Sequence, residues 1–372
     1  MASSVTRSFS APPYVIAGLG ALEQLSDELE GLGARRLAIA CDRGVEQAGL
    51  LTQVQGSIGA LPASVCGLVA PDPTVEDAEQ AVAQAVADGA DAVVAVGGGS
   101  ALAVGKAVAL GLRNPGPILT YAGRDRAGAL PAPCVAIPTT AGSGGEVSNA
   151  FTLHDPGQEQ ILVVRGRGYE PRVALLDATL LQTLPRRPML EAGLDALSHA
   201  LEALWAVNAS VFTDALAVAA TDAICSTLPA ALEHRRPTDL QRLLEASAMA
   251  NLACGNAGLG LIHALSSAAA VHLTHGYQNG VLLPAVAAFN GPNLKPAAAA
   301  AVDCAKRLYA EIDFEASFGD GTLDAADVDH MVSAALKHDF RRNNIRAASE
   351  PDLRAILASV GGTASPRSGV WP

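Results

Sequence analysis

Short β-branched runs alternate with helical patterns through the first half of the chain, and this alternation restricts the fold more than any other feature. Residues 36–41 (RLAIAC) and 92–96 (AVVAV) read as buried strands, and residues 135–137 end a third. Between the first two, residues 74–88 (TVEDAEQAVAQAVAD) carry apolar side chains at helical spacing. Residues 173–177 (VALLD) supply one more strand. Strands joined through helices in this order predict parallel βαβ units. After about residue 184 the texture changes to long alanine- and leucine-rich helical segments, at 188–206, 214–232, 239–253 and 296–312. The expected architecture is therefore α/β followed by all-α: a Rossmann-like parallel-sheet domain over 1–184 and a helical domain over 185–372. A cleft between two such domains is a usual place for cofactor and substrate. The tail at 363–372 reads as loose.

The charge balance narrows the partners. The 372 residues carry a formal net charge of -12, and no basic run offsets it. Such a surface repels phosphate backbones, which excludes nucleic acid as a partner. The six cysteines show no CxxC spacing and sit mostly among apolar neighbours. That pattern suits reduced, buried thiols rather than a disulfide framework. The N-terminus has no apolar core of signal-peptide length, and no uninterrupted apolar run reaches the roughly 18 residues of a membrane span. A cytoplasmic protein without membrane contact is expected.

Two glycine-rich turns carry the first chemical signal. Gly97, Gly98, Gly99 and Ser100 follow the AVVAV strand and open a helical pattern at 101–110. Glycines there let the backbone approach a pyrophosphate, and the helix N-terminus supplies free N–H groups. The run is not GxGxxG, and a tight strand-to-helix turn suits it equally. The second run, PTTAGSGGE at 138–146, contains Thr139, Thr140 and Ser143, whose hydroxyls can line a phosphate and ribose surface; a plain polar loop is the alternative. Asp42 ends the RLAIAC strand where a carboxylate can accept from the ribose 2′-hydroxyl of NAD and repel the 2′-phosphate of NADP. The same position suits a helix cap for residues 43–51.

The second signal is a set of possible metal ligands. Asp195 and His199 lie at i and i+4 in GLDALSHALEALW, so they project from one helix face. His263 opens HALSSAAA and His275 begins HGYQNG. A divalent cation would compensate a carboxylate placed in such alanine-rich surroundings. A histidine on an apolar face is also commonly a satisfied core residue, and the spacing leaves both readings open.

Taken together these motifs resemble the iron-containing alcohol dehydrogenase family along almost the whole chain. The family's GGGS turn is present at 97–100, its PTTAGTGSE-like loop as PTTAGSGGE, and its GxDALxHAxEA helix as GLDALSHALEA. The HAL…HG segment is present as HALSS…THG, followed by Leu282, Leu283, Pro284 and Asn290. Shorter matches are GALEQL at 20–25, CDRGVEQAGLL at 41–51, PDPT at 71–74 and PILTYAG at 117–123. The resemblance implies that Asp195, His199, His263 and His275 hold one divalent metal, Fe²⁺ or alternatively Zn²⁺. It implies NAD(H) as cofactor, on Asp42, Gly97, Gly98, Gly99, Ser100, Thr139, Thr140, Ser143 and Ser148. It also implies hydride transfer between an alcohol and an aldehyde or ketone, in a homodimer.

The chain departs from the family pattern in places that bear on the substrate. Ala103 stands where many relatives carry Asp, Ser267 where many carry a second histidine, and a downstream lysine is replaced near Gln160. His263 and His275 are closer in sequence than is usual, which makes His272 a rival for the fourth ligand. Arg165 and Arg167 can bind an anionic tail, as in reduction of maleylacetate or phosphonoacetaldehyde, or can be solvated surface charges. Two other classes stay open: a dehydroquinate-synthase-like cyclase or lyase, and a homologue that binds cofactor without catalysis. The cyclase needs a cationic cluster for a substrate phosphate, and Lys295, Lys306 and Lys337 form none in sequence.

Overall fold

The computed structural model describes residues 6–155, 157, 161–271, 273–314 and 323–360. His272, Gln160 and the tail at 363–372 lie outside them.

The expected parallel sheet is present and is larger than the sequence pattern indicated. Its strands are β1 (Tyr14–Ala17), β2 (Leu37–Asp42), β3 (Ala63–Val69), β4 (Ala92–Gly97), β6 (Cys134–Pro138) and β9 (Val173–Leu176), in the order β1-β9-β6-β4-β2-β3. Every pairing is parallel, with Leu37 opposite Ala92 and Val94 opposite Val135. The central strands β2, β4 and β6 are buried almost throughout, which is why they read as unbroken apolar runs. A second, three-stranded sheet holds β5 (Gly123–Arg124), β7 (Ala150–Leu153) and β8 (Leu162–Arg165).

Helices α1 (Leu25–Gly31), α2 (Arg43–Gln47), α3 (Leu50–Ser57), α4 (Val75–Ala87) and α5 (Gly99–Gly111) join or cover these strands. Thr74 and Asp77 form a capping box that starts α4. Helix α5 lies on β4 so closely that a Cβ added at Gly105 would meet the Ala95 Cβ at 2.3 Å. Only glycine permits that approach.

Among the described residues the last strand ends at Leu176, and from Arg186 onward the regular elements are helical: α6 (Arg186–Leu204), α7 (Val211–His234), α8 (Pro237–Ala257), α9 (Leu261–Leu265), α10 (His275–Asn290), α11 (Pro296–Glu311), α12 (Ala325–Lys337), α13 (Phe340–Asn343) and α14 (Glu350–Val360). Helix α6 is enclosed by α7, α8 and α10, and from Gly193 to Leu204 every residue on it is buried. Helix α7 is long and apolar enough to cross a membrane by length and composition, although Asp222 interrupts its sequence. It is a core helix here, packed against α6, α8 and α11. All six cysteines are free thiols, five of them buried.

The sheet order places a site. The connection from β2 runs outward to β3, and the one from β4 runs the other way to β6. Neighbouring strands whose connections diverge leave a crevice at their carboxyl ends. Asp42 and Gly97 are the last residues of β2 and β4.

Candidate active site

Asp42 is a helix cap, as its position allowed, and it also binds the glycine turn. Its Oδ1 accepts from the Val45 N–H at 2.8 Å, capping α2, and its Oδ2 accepts from the Gly98 N–H at 3.2 Å. It thus ties the β2 end to the glycine turn. The capped segment is shorter than residues 43–51, because α2 stops at Gln47 and α3 begins at Leu50. Gly97 has φ of +143°, and a Cβ there would meet Asp42 Oδ2 at 2.4 Å and the Ala101 Cβ at 2.7 Å, so glycine is required on both grounds.

The two glycine-rich runs face each other. A Cβ on Gly98 would lie 3.5 Å from Thr140, and one on Gly99 2.9 Å from the Ser143 Cβ. The Thr139 N–H donates to the Gly97 carbonyl at 3.0 Å. Ser100 is half-buried in the first turn of α5, and the Ser148 hydroxyl accepts from the Ala150 N–H. The loop is held by a residue that motif reading missed. Lys106, buried on α5, donates to the carbonyls of Gly145, Ser148 and Ala150. Burial lowers its pKa to about 8, while Cys134, Glu146 and Glu170 oppose that shift. Its signal was present: a lone charge in GSALAVGKAVALG must find partners when buried.

Three of the four metal-ligand candidates, Asp195, His263 and His275, bring ligand atoms within 4.8 Å of one another, and His199 stands beside Asp195 outside that group. The Nε2 atoms of His199, His263 and His275 lie 3.9, 3.7 and 3.9 Å from Asp195 Oδ1. Donors of a tetrahedral site with bonds of about 2.1 Å stand about 3.4 Å apart, so each imidazole needs to close on Asp195 by about half an ångström, and His199, outside the 4.8 Å group, has further to move relative to the other imidazoles. Three imidazoles and a carboxylate suit Fe²⁺ or Zn²⁺. The set comes from α6, α9 and α10, and the His199 and His263 rings stack at 4.5 Å between centroids. His275 has the open face: its side chain is 42% exposed, against 7% or less for the other three.

Electrostatics set the protonation states. Burial works to raise the Asp195 carboxyl, but the three histidines beside it hold it well below the ordinary range. Burial lowers His199 to about 3 and also lowers His275, leaving their lone pairs free. Burial pushes His263 the same way, but Glu202 and Asp195 overcome it and raise this imidazole to about 9. A divalent cation beside it would displace that proton.

Glu202 and Asn279 complete the cluster and were missed as functional residues. Glu202 is fully buried; it accepts from His263 Nδ1 at 2.7 Å and from the Gly260 and Ile262 N–H groups at 2.8 and 2.6 Å. Such a partner fixes the tautomer of a metal-ligating imidazole. Glu202 lies seven residues after Asp195 and three after His199, on the same helix face, so its spacing was a usable signal. Asn279 follows His275 by four. Of the departures from the family pattern, Ala103 is packed in an apolar cluster with Tyr121, Phe151 and Leu153. The Ser267 hydroxyl is turned back onto the end of α9, donating to the Ala264 carbonyl at 2.8 Å.

Comparison with known proteins decides the class. The model of the iron-containing alcohol dehydrogenase family matches residues 12–178, and that of the family's C-terminal part matches residues 189–361. The chain belongs to the iron-containing alcohol dehydrogenase family. It is 33% identical over 374 residues to the probable alcohol dehydrogenase EutG of Salmonella typhimurium, covering 95% of each chain. It is 29% identical over 378 residues to an NAD-dependent methanol dehydrogenase of Bacillus methanolicus, covering 95% of this chain and 99% of that one. The iron-containing alcohol dehydrogenase of Thermococcus thioreducens superposes with a TM-score of 0.85 at 27% identity, covering 95% of this chain and 99% of that one. Membership makes the chain a metal-dependent, nicotinamide-linked oxidoreductase that interconverts an alcohol with an aldehyde or ketone, and it resolves the choice against a cyclase.

Proposed function

We propose that the chain reduces a small aldehyde or ketone, or oxidises the corresponding alcohol, at one divalent metal held by Asp195, His199, His263 and His275, with NAD(H) across the ends of β2 and β4. The clustering of Asp195, His263 and His275 from three helices, with His199 Nε2 3.9 Å from Asp195 Oδ1, carries this reading. Fe²⁺ is the family expectation and Zn²⁺ the alternative. When bound, the metal polarises the substrate oxygen and stabilises the negative charge that develops there. The remaining work falls to the chain. Asp42 presents a carboxylate to a ribose, and Gly97, Gly98, Gly99 and Ser100 leave room and free N–H groups for the pyrophosphate. Thr139, Thr140, Ser143 and Ser148 line the opposing loop. The exposed side of His275 gives the substrate its approach. Because the Ser267 hydroxyl is engaged with backbone, the proton is exchanged through solvent or a ribose hydroxyl rather than through residue 267.

The substrate proposed is an aldehyde with an anionic tail. Arg165 is half-buried, and among the described residues no carboxylate lies within ion-pair distance of it. Burial and the neighbouring Arg124, its strand partner, lower its pKa, against the weaker pull of Asp339 and Asp125. An unpaired, half-buried guanidinium is a place for a ligand's counter-charge. Arg167 is exposed, which suits a solvated charge. A sulfoacetaldehyde reductase of Bilophila wadsworthia is 29% identical over 281 residues, 74% of this chain.

The division at 184/185, a cytoplasmic location and a homodimer belong to the same reading. Six free thiols support the location. Edge strand β1 supports the dimer, with Tyr14 66% and Val15 37% exposed. The deciding experiment is NADH oxidation by Fe²⁺- or Zn²⁺-reconstituted protein against matched neutral and anionic short aldehydes. Metal-dependent turnover supports the reading. Turnover with none of them, or full turnover by a His263→Ala variant, would defeat it.

A further inference from the structure

One side chain touches three of the four metal-ligand candidates. Asn279 is fully buried on α10, one turn after His275. Its Nδ2 donates to Asp195 Oδ1 at 2.7 Å and lies 3.0 Å from His275 Nε2 and 3.2 Å from His263 Nε2. Its own Oδ1 is buried without a partner among the described residues. The surroundings fix this orientation: turning the amide over would set Oδ1 against the Asp195 carboxylate, 2.7 Å away.

Counting lone pairs separates the three contacts. Glu202 holds one His263 proton on Nδ1, so once a cation displaces the other, Nε2 offers it a single lone pair. A neutral His275 likewise has one lone pair on the nitrogen that faces the cluster. A carboxylate oxygen has two. A divalent cation on this donor set therefore takes the imidazole lone pairs away from Asn279, while Asp195 Oδ1 can serve cation and amide together. Among the described residues, Asn279 is the one side chain within hydrogen-bond distance of the Asp195 carboxylate.

We propose that Asn279 is a positioning residue of the metal centre, whose amide N–H fixes the rotation of the Asp195 carboxylate so that Oδ1 faces the three imidazoles. A neutral donor does this without changing the charge of the site. The proposal rests on the four-ligand reading above. Its test uses full-length Asn279→Leu and Asn279→Ala proteins, stripped of metal and titrated with Zn²⁺ against a chromophoric chelator, with Co²⁺ absorption spectra as a second readout. Leucine keeps the volume and alanine opens a cavity, but both lack the donor. Both are expected to lose metal affinity by the same factor, about 10- to 100-fold, and to show altered Co²⁺ bands. A packing role would instead lower Tm to different extents and leave both affinities within twofold of the unmodified protein, which overturns the proposal. If the leucine protein does not fold, the alanine protein decides alone. Unchanged Zn²⁺ affinity in His263→Ala would overturn the four-ligand reading itself, a separate outcome.

Discussion

Replacing Glu202 with glutamine tests how the metal-binding imidazole is oriented. The carboxylate is fully buried and accepts three hydrogen bonds, two on Oε2 from Gly260 and His263 and one on Oε1 from Ile262. Glutamine has the same shape but one acceptor oxygen. Its best orientation keeps the Gly260 and His263 bonds and turns an amide N–H₂ against the Ile262 N–H. The variant loses a charge-assisted bond and gains a donor–donor contact in a place without water. Breaking a buried charged network in this way costs about 3–5 kcal/mol, which on a chain of 372 residues lowers Tm by about 5 °C. Without the negative charge, the His263 proton is held on Nδ1 less firmly, and metal affinity should fall by about 10- to 100-fold. Chelator competition measures the affinity, and thermal unfolding with and without Zn²⁺ measures the stability. A protein with lowered Tm but unchanged metal affinity would refute the argument, because Glu202 would then only brace the turn entering α9.

Three shorter predictions follow from the same geometry. Gly97→Ala forces a side chain into a φ of +143° and against Asp42, so it should cost about 1–3 kcal/mol and weaken NADH binding, read by cofactor fluorescence; unaltered binding would count against the turn as a cofactor site. Burial raises Glu146 from 4.5 to about 7, against the opposing pull of Lys106. Its contribution is thus fully present below pH 4.5 and lost as pH rises through 7, so the stability of the parent relative to Glu146→Gln should fall by on the order of 3 kcal/mol across that window; a flat difference in urea titrations would contradict this. Arg165→Gln should raise KM for an anionic aldehyde at least tenfold and leave KM for its neutral counterpart unchanged, and equal effects on both would remove the anionic-tail reading.

How much was legible beforehand depended on burial on both faces. Strands β2, β4 and β6 are covered on each side, so their sequences are continuous apolar runs that composition alone reveals. Strand β1 is mostly exposed, and β5 has two residues, too few to show a period. The small sheet was invisible for that reason, and with it the surroundings of Ala103, which packs beneath it. The nearness of Asp195 and His199 was readable because they share a helix face, whereas the contacts of Glu202 and Asn279 depend on how α6, α9 and α10 cross. Sequence spacing reports neighbours on one helix and is silent about neighbours on the next.

The loop from Thr139 to Ala150 ties the proposed cofactor turn to the proposed metal cluster. On one side Thr140 and Ser143 meet Gly98 and Gly99. On the other, a Cβ at Gly142 would lie 2.7 Å from the Ala192 Cα, one turn before Asp195 on α6. The Gly142 carbonyl accepts from Asn251 and Ser247 on α8, and Lys106 gathers the loop's later carbonyls onto α5. The separation between the glycine turn and the metal helix is therefore set by direct packing through this loop, with no layer of mobile side chains between them. Hydride transfer requires reacting atoms about 3–3.5 Å apart, and a spacer built from backbone and buried hydrogen bonds can hold that tolerance. For the same reason glycine at 142 is a distance constraint: any side chain there would push α6, and Asp195 with it, away from the nucleotide turn.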